Sequence, residues 1–376
     1  MPEKKKLSKN FIAMLIILAL SAAANITAVL RTSAADLYMR HIFAPLSDII
    51  SAVTGILPFS LGEILIVLGV LLLIATPFAM IIGAVKKKKG FLKGFGIFFG
   101  WVLIYIIFTE TFNCFVLYRT TEFSPKYHNS AGAAGFTSEQ LSQLTEETIQ
   151  SANALAEEIS RDENGDMLLP ENFDSIAERA MNILAEEYPE LSGVCPTPKK
   201  INAAVMTSFD LQGIYFPFTL EANYNKALSP ARVPCTVMHE LSHLKGFIRE
   251  DEAGFIAYRA CLEAIEPEVR YSGHISAMNY LLFACKKSLS YEEYLRLCSL
   301  ISPLVSRDNT FVSEEYMEYI RQKAVIPTEK TQAVSAKAID VTLKIGGVSD
   351  GRRSYGRMVD LLLEYRYYVR EEVTSP

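Results

Sequence analysis

Hydrophobic positions run unbroken in three parts of the chain. Phe11 to Leu30 carries no charge for twenty residues, Ile64 to Val85 none for twenty-two, and Phe95 to Tyr118 holds a single acid, Glu110. Runs of that length without polar alternation predict helices able to cross about 30 Å of hydrocarbon. Between the first two runs, the apolar stretch Ile49 to Phe59 predicts either an interfacial or re-entrant segment or a plain outer loop. Thr121 to Gly135 is rich in Ser, Gly and Ala and reads as a linker. The pattern then turns amphipathic. Leu141, Leu144, Ala152, Leu155 and Ile159 follow helical spacing behind a capping box at Thr137 and Gln140, and Ile176 to Leu184 predicts a second helix. Ile201 to Met206 and Gly213 to Asn225 are rich in β-branched and aromatic residues and predict short strands, with Pro217 placing the second at a sheet edge. From Ser290 onward the chain is helical again, through Met358 to Tyr368. The expected organisation is a three-span α-helical anchor in residues 1–118, a linker over 119–136, and an α+β, mostly helical domain over 137–376.

Charge orients this arrangement. Lys4, Lys5, Lys6 and Lys9 precede the first run, and Lys86 to Lys89 with Lys93 fill the gap between the second and third, whereas Arg31 to Ser60 offers only Arg31 and Arg40. Basic loops stay in the cytoplasm, so the C-terminal domain is expected outside the plasma membrane. The small residues Ser21-Ala22-Ala23-Ala24 also give the first run the look of a signal peptide, and its removal would leave the orientation unchanged. A chain that is 50% apolar, with a mean hydropathy of +0.19, agrees with a bilayer as partner. Of 37 basic and 42 acidic residues, 11 and 5 precede residue 119, leaving 26 and 37 after it. A C-terminal part of net charge −11 argues against nucleic acid as a partner. The six cysteines form no CxxC pair, and Cys195, Cys235, Cys261, Cys285 and Cys298 read as mostly buried small apolar residues.

Chemistry concentrates in His239-Glu240-Leu241-Ser242-His243. This is an HExxH pattern, in which two histidines one helical turn apart project from one face and can share a metal ion. Pro234 suits the first turn of such a helix, Gly246 its end, and Val237, Met238, Leu241 and Leu244 its buried side. Zinc bound by two neutral imidazoles and one carboxylate keeps a fourth position open and lowers the pKa of a water there toward about 7. Glu240 is placed to take that water's proton as general base. A third ligand is expected among the acids that open the next helix, in Arg249-Glu250-Asp251-Glu252-Ala253-Gly254-Phe255. Glu250 and Glu252 both qualify by reach, and Glu250 is favoured because it shares a face with Ala253, Gly254 and Ala257. The remaining acid, or Asp251, would orient a histidine. His274 and Tyr271, in an expected polar turn before a helix, are candidates to stabilise an oxyanion. His41 and His128 are expected to be solvated, and Arg249 to pair with a nearby acid.

At these residues the chain resembles the domain-of-unknown-function 3810 family, bacterial membrane proteins assigned to the zincin-like peptidases. HELSHLKGFIREDEAGFIAY matches the family's active segment, Gly213 to Thr219 with Glu221, Ala222 and Asn223 resembles the stretch before it, and Arg270 to Gly273 and Ser354 to Asp360 resemble marks after it. The resemblance implies a zincin-like metallopeptidase fold, with GIYFPFTLEANYN as an edge strand above the HExxH helix that receives an extended substrate. It also implies that the Glu250 to Ala253 pattern supplies a metal ligand through Glu250, as in gluzincin-type peptidases. Gly254 departs from the Asn or Asp of many relatives, which removes an expected hydrogen bond to a ligand histidine. The functional expectation is a membrane-anchored zinc hydrolase acting on peptides or proteins of the cell envelope. A non-catalytic zinc-binding sensor or interaction protein of the cell envelope is the alternative.

Overall fold

The computed structural model describes residues 8–128, 135–324, 326–346 and 357–369. The lysines Lys4 to Lys6 and the family marks Ser354 to Gly356 lie outside the described residues. Each apolar run forms one helix: α1 spans Lys9–Leu30, α3 spans Leu61–Val85 and α4 spans Lys89–Glu110, the last continuing in π- and 3₁₀-helical turns to Arg119. Side-chain caps start two of them, since Ser8 Oγ accepts the N–H of Phe11 and Ser60 Oγ that of Glu63. All three are long and apolar enough to cross a membrane, and only 11%, 0% and 6% of their most apolar windows are buried within the protein. Surfaces so greasy and so bare associate with a lipid bilayer, because water would leave them unpartnered.

Between α1 and α3 the chain is helical from Thr32 to Gly55, with a π-turn at Met39–Phe43 followed by α2 (Ala44–Gly55). The apolar stretch there is thus largely helix rather than loop. Ser47, Ser51 and Thr54 point inward, and Ser47 Oγ donates to the carbonyl of Leu244 at 2.8 Å.

Helices α5 (Ser138–Glu158), α6 (Phe173–Glu187), α7 (Val233–Leu244), α8 (Glu250–Glu263), α9 (Pro267–Ser288) and α10 (Arg357–Glu364) build the core around the HExxH helix, and the chain between α9 and α10 is helical as expected, over Tyr291–Ser299, Pro303–Asp308, Glu314–Lys323 and Thr328–Gly346. The capping box at Thr137 and Gln140 is present at the start of α5. Val237, Met238, Phe255, Ile256, Tyr271 and Met278 are wholly or almost wholly buried and join α7, α8 and α9 into one core. All six cysteines are free, four of them buried, as small apolar residues would be.

A small sheet covers α7. Its order is β1-β3-β2, with β1 (Lys199–Ile201) parallel to β3 (Glu221–Asn225) and β2 (Gly213–Phe216) antiparallel to it. Two strand boundaries differ from expectation. Ile201 to Met206 is not one strand, because Asn202 caps a short helix, Ala203–Ser208, by accepting two backbone N–H groups. Gly213 to Asn225 is a hairpin rather than a single strand. Pro217 falls in its turn, which Leu220 closes at a positive φ of 51°.

Residues 119–128 are not a free linker. Phe123 is 1% exposed, meets the rings of Tyr127, Tyr188, Phe247 and Phe255, and donates its N–H to Glu252 Oε1 at 2.9 Å. His128 is likewise not solvated, since its side chain is buried and its Nδ1 lies 3.2 Å from Glu364 Oε2. Residues 129–134 of the expected linker lie outside the described residues.

The apolar helices are joined to the sheet by buried polar contacts. Glu221, 2% exposed, accepts the N–H groups of Leu61 (3.0 Å) and Gly62 (2.7 Å) at the start of α3, which satisfies donors that a helix leaves unpaired. Gly62 leaves room for the Phe216 ring, which an added Cβ would meet at 2.7 Å. Tyr215 Oη donates to the carbonyl of Asn113 at 3.3 Å on the continuation of α4.

Candidate metal centre

Local sequence sets α7 in place. Pro234 occupies its first turn, and Gly246 ends it at a φ of +93°, a conformation that strains any residue with a side chain. The apolar side chains of Val237, Met238, Leu241 and Leu244 turn into the core, and the two histidines follow on the other face. Their rings stand edge to face with centroids 4.6 Å apart.

Helix α8 brings an acid to the same point. His239 Nε2 lies 3.1 Å and His243 Nε2 4.0 Å from Glu250 Oε2. One ligand atom from each of His239, His243 and Glu250 falls within 4.8 Å of the others, close enough to hold a metal ion. His243 Nδ1 pairs with the carbonyl of Phe247 at 2.7 Å, which directs its Nε2 to the cluster. The donor set of two imidazoles and one carboxylate suits zinc.

Electrostatics differ sharply across these residues. Burial lowers His243, and the neighbouring His239 adds to this, so its pKa falls to about 4 and its imidazole is a neutral donor. Burial also acts to lower His239, yet the hydrogen bond and charge of Glu250 overcome it and carry that residue to about 9. Burial raises the Glu240 carboxyl to about 8, with His239 and the backbone N–H of Tyr215 pulling it back.

Glu240 is the buried partner of the edge strand. It accepts the N–H of Tyr215 on β2, while its Oε2 is buried with no partner among the described residues. A buried carboxyl oxygen left open beside a His-His-Glu cluster, on a group whose affinity for a proton burial has raised, is placed to exchange a proton with whatever occupies that cluster. Gly213 is what allows the approach, because a Cβ there would lie 2.3 Å from Glu240 Oε1 and 2.8 Å from Cγ. Gly213→Ala is therefore expected to push the Glu240 side chain aside while sparing the three candidate ligands. Metal content should stay at the parent level, and any hydrolytic turnover should fall at least tenfold, checked by metal analysis and rate on the same preparation.

Of the two acids weighed for third ligand, the structure brings Glu250 to the histidines and not Glu252. Glu252 accepts from the Phe123 N–H and from Arg249 Nη1 at 3.2 Å, while Arg249 Nη2 donates to the carbonyls of Tyr118 and Thr120. Asp251 pairs with Arg357 at 2.8 Å. Neither acid orients a histidine, as one of them was expected to; both instead tie α8 to neighbouring segments. Gly254 faces Met358 of α10, whose sulfur an added Cβ would meet at 2.9 Å.

Tyr271 and His274 are not in a turn but inside α9, and the structure does not bring them into the cluster. Tyr271 is fully buried and donates to Asp308 Oδ2 at 2.7 Å, in a network completed by Arg161. His274 packs edge-on to Tyr258 and lines a cleft of about 390 Å³ with Arg270, Leu281 and Tyr365, a lining that includes none of the three ligand residues. Burial and the charge of Arg270 lower His274 to about 4. Sequence reasoning missed Tyr280, further along α9. Burial raises its phenol, and it lies within the electrostatic reach of Glu250 and Cys235. It lies nine residues, two and a half helical turns, beyond Tyr271 and so on the opposite face of α9, a difference that single-sequence pattern does not disclose.

The geometry defines a helical protein with long apolar helices and an HExxH helix whose two histidines converge with a glutamate from the following helix. Residues 38–363 match the family described as Protein of unknown function (DUF3810), and the chain belongs to it. Neither a curated protein nor a solved structure matches the chain significantly.

Proposed function

We propose that the protein is a membrane-anchored zinc-dependent hydrolase, most consistent with a peptidase, working at the outer face of the plasma membrane. The observation that carries this reading is the convergence of His239, His243 and Glu250 beside the open carboxylate oxygen of Glu240. A metal site that served only folding has no use for a buried, unpartnered base. Zinc held by the three ligands would polarise a substrate carbonyl and acidify a water. The chain's own residues do the rest. His243 is fixed in its tautomer by Phe247, Glu250 spans both histidines, and Glu240 is positioned by the Tyr215 N–H to accept a proton and return it to the leaving group. Strand β2, at the edge of the sheet, offers backbone groups along which an extended peptide can lie. The zincin-like fold named from the resemblance belongs to this reading, supported by the edge strand's position over the HExxH helix.

The direct test is broad peptide profiling of the purified chain with zinc against a chelated control, where Glu240-dependent cleavage supports the reading and its absence sinks it. Orientation is tested separately. With Lys86 to Lys89 in the cytoplasm, a reporter active only outside should work when fused after Pro376 and be silent when fused within that lysine loop. The reverse pattern would put the metal site on the wrong side of the membrane.

A further inference from the structure

The hairpin beside Glu240 is fastened to α4 at two heights. Tyr105 Oη donates to the carbonyl of Phe218 at 2.9 Å, and Asn113 Nδ2 donates to that of Pro217 at 2.7 Å. At 1.5 Å per residue, Tyr105 and Asn113 lie about 24 Å and about 36 Å along the helix axis from Lys89. A hydrocarbon layer is about 30 Å thick, so with the lysines at one face the hairpin tip stands at the other. From Pro217 back to Gly213, which touches Glu240, strand β2 covers at most about 13 Å whatever its tilt. The Glu240 carboxyl therefore sits in the headgroup layer or just above it.

Helix α2 gives the same answer independently. Leu46, Ile49, Val53 and Ile56 follow one another on one helical face and are 42%, 65%, 63% and 81% exposed. The opposite face holds the end of α7 through the bond from Ser47 to Leu244. A stripe of large apolar residues that leads through Phe59 directly into α3 has acyl chains as its partner. The HExxH helix thus rides on the back of a lipid-facing helix.

We infer that the site acts on polypeptides tethered in the same membrane, cutting them within about five residues of the bilayer, an inference that rests on the hydrolase reading above. A soluble peptide must find a site at the lipid surface by diffusion from bulk. A chain anchored beside it is confined to that layer at an effective concentration on the order of millimolar, with its juxtamembrane segment at the height of β2.

Two measurements on the full chain test this. Trp101 is the only tryptophan. In a Trp101→Phe chain reconstituted in vesicles of brominated phosphatidylcholine, Val53→Trp should be quenched as strongly as Trp101 is in the parent. Leu168→Trp, 47% exposed in the loop before α6, should be unquenched. Equal emission from Val53→Trp and Leu168→Trp would show that α2 is not seated in lipid, and the inference falls. The second measurement maps protein termini in cells carrying the parent or its Glu240→Gln form. Parent-specific ends should cluster in membrane-anchored proteins, within about five residues of a span. If they fall in freely soluble proteins, the tethered-substrate inference is overturned while the hydrolase stands; if no Glu240-dependent ends exist, the hydrolase reading itself falls and takes this one with it.

Discussion

Glu240→Gln is expected to lower hydrolysis by about 10²- to 10⁴-fold, the usual contribution of a positioned general acid-base, while leaving fold and zinc content at the parent level. The separation follows from where the carboxyl stands. It is buried, its Oε2 has no partner among the described residues, and the group that could hold a metal ion is made of His239, His243 and Glu250 without it. A glutamine of almost the same volume keeps the acceptor that meets the Tyr215 N–H and fits against Gly213. What it lacks is the ability to take up a proton. The measurement is the rate of cleavage of any substrate found by profiling, paired with zinc analysis of the same sample. Parent-level cleavage by Glu240→Gln would refute the catalytic role and leave a binding or sensing protein in its place.

How much of this could be read from the chain varies with the distance over which each feature is encoded. The apolar helices and the HExxH helix are local: an uninterrupted run and a four-residue spacing state their own geometry, and α1, α3, α4 and α7 formed where those patterns lie. The hairpin was less legible. Gly213 to Asn225 has the residue types of a strand throughout, and only the turn at Pro217 and Leu220, held by Tyr105 and Asn113 more than a hundred positions earlier, divides it.

The choice between Glu250 and Glu252 shows the same limit at the site. Two acids two positions apart on a helix point about 200° apart, so both cannot face the histidines, but their own spacing does not say which one does. Phe123 and Arg249 decide it by engaging Glu252. Phe123 was hidden in a segment whose Ser, Gly and Ala content suggested a linker. Tyr271 and His274 were misplaced for a related reason. Ser272 and Gly273 beside them suggest a turn, yet in α9 these small residues permit close packing: an added Cβ at Gly273 would lie 2.6 Å from Cys261 Cβ, and Ser272 Oγ accepts the Cys235 N–H at 3.1 Å.

The strongest loss of metal is expected from the ligands themselves. His239→Ala and His243→Ala each remove one of three candidate donors, and the purified full chain should then hold well under one zinc where the parent should hold about one. Glu250→Gln should weaken zinc as well, since it exchanges the anionic oxygen that faces both imidazoles for a neutral amide. Glu252→Gln supplies the contrast. It lies two positions away in the same acidic turn, but its partners are Phe123 and Arg249, so its loss should disturb the junction near Phe123 and leave zinc bound. Residues that merely support ligands typically change metal affinity by 10- to 100-fold, so the ligand variants should exceed that range in a chelator competition. Three ligand variants that retained zinc as tightly as the parent would dissolve the centre. A Glu252→Gln chain that lost zinc as completely as Glu250→Gln would move the third ligand to Glu252 and require α8 to turn by about half a revolution from the arrangement described.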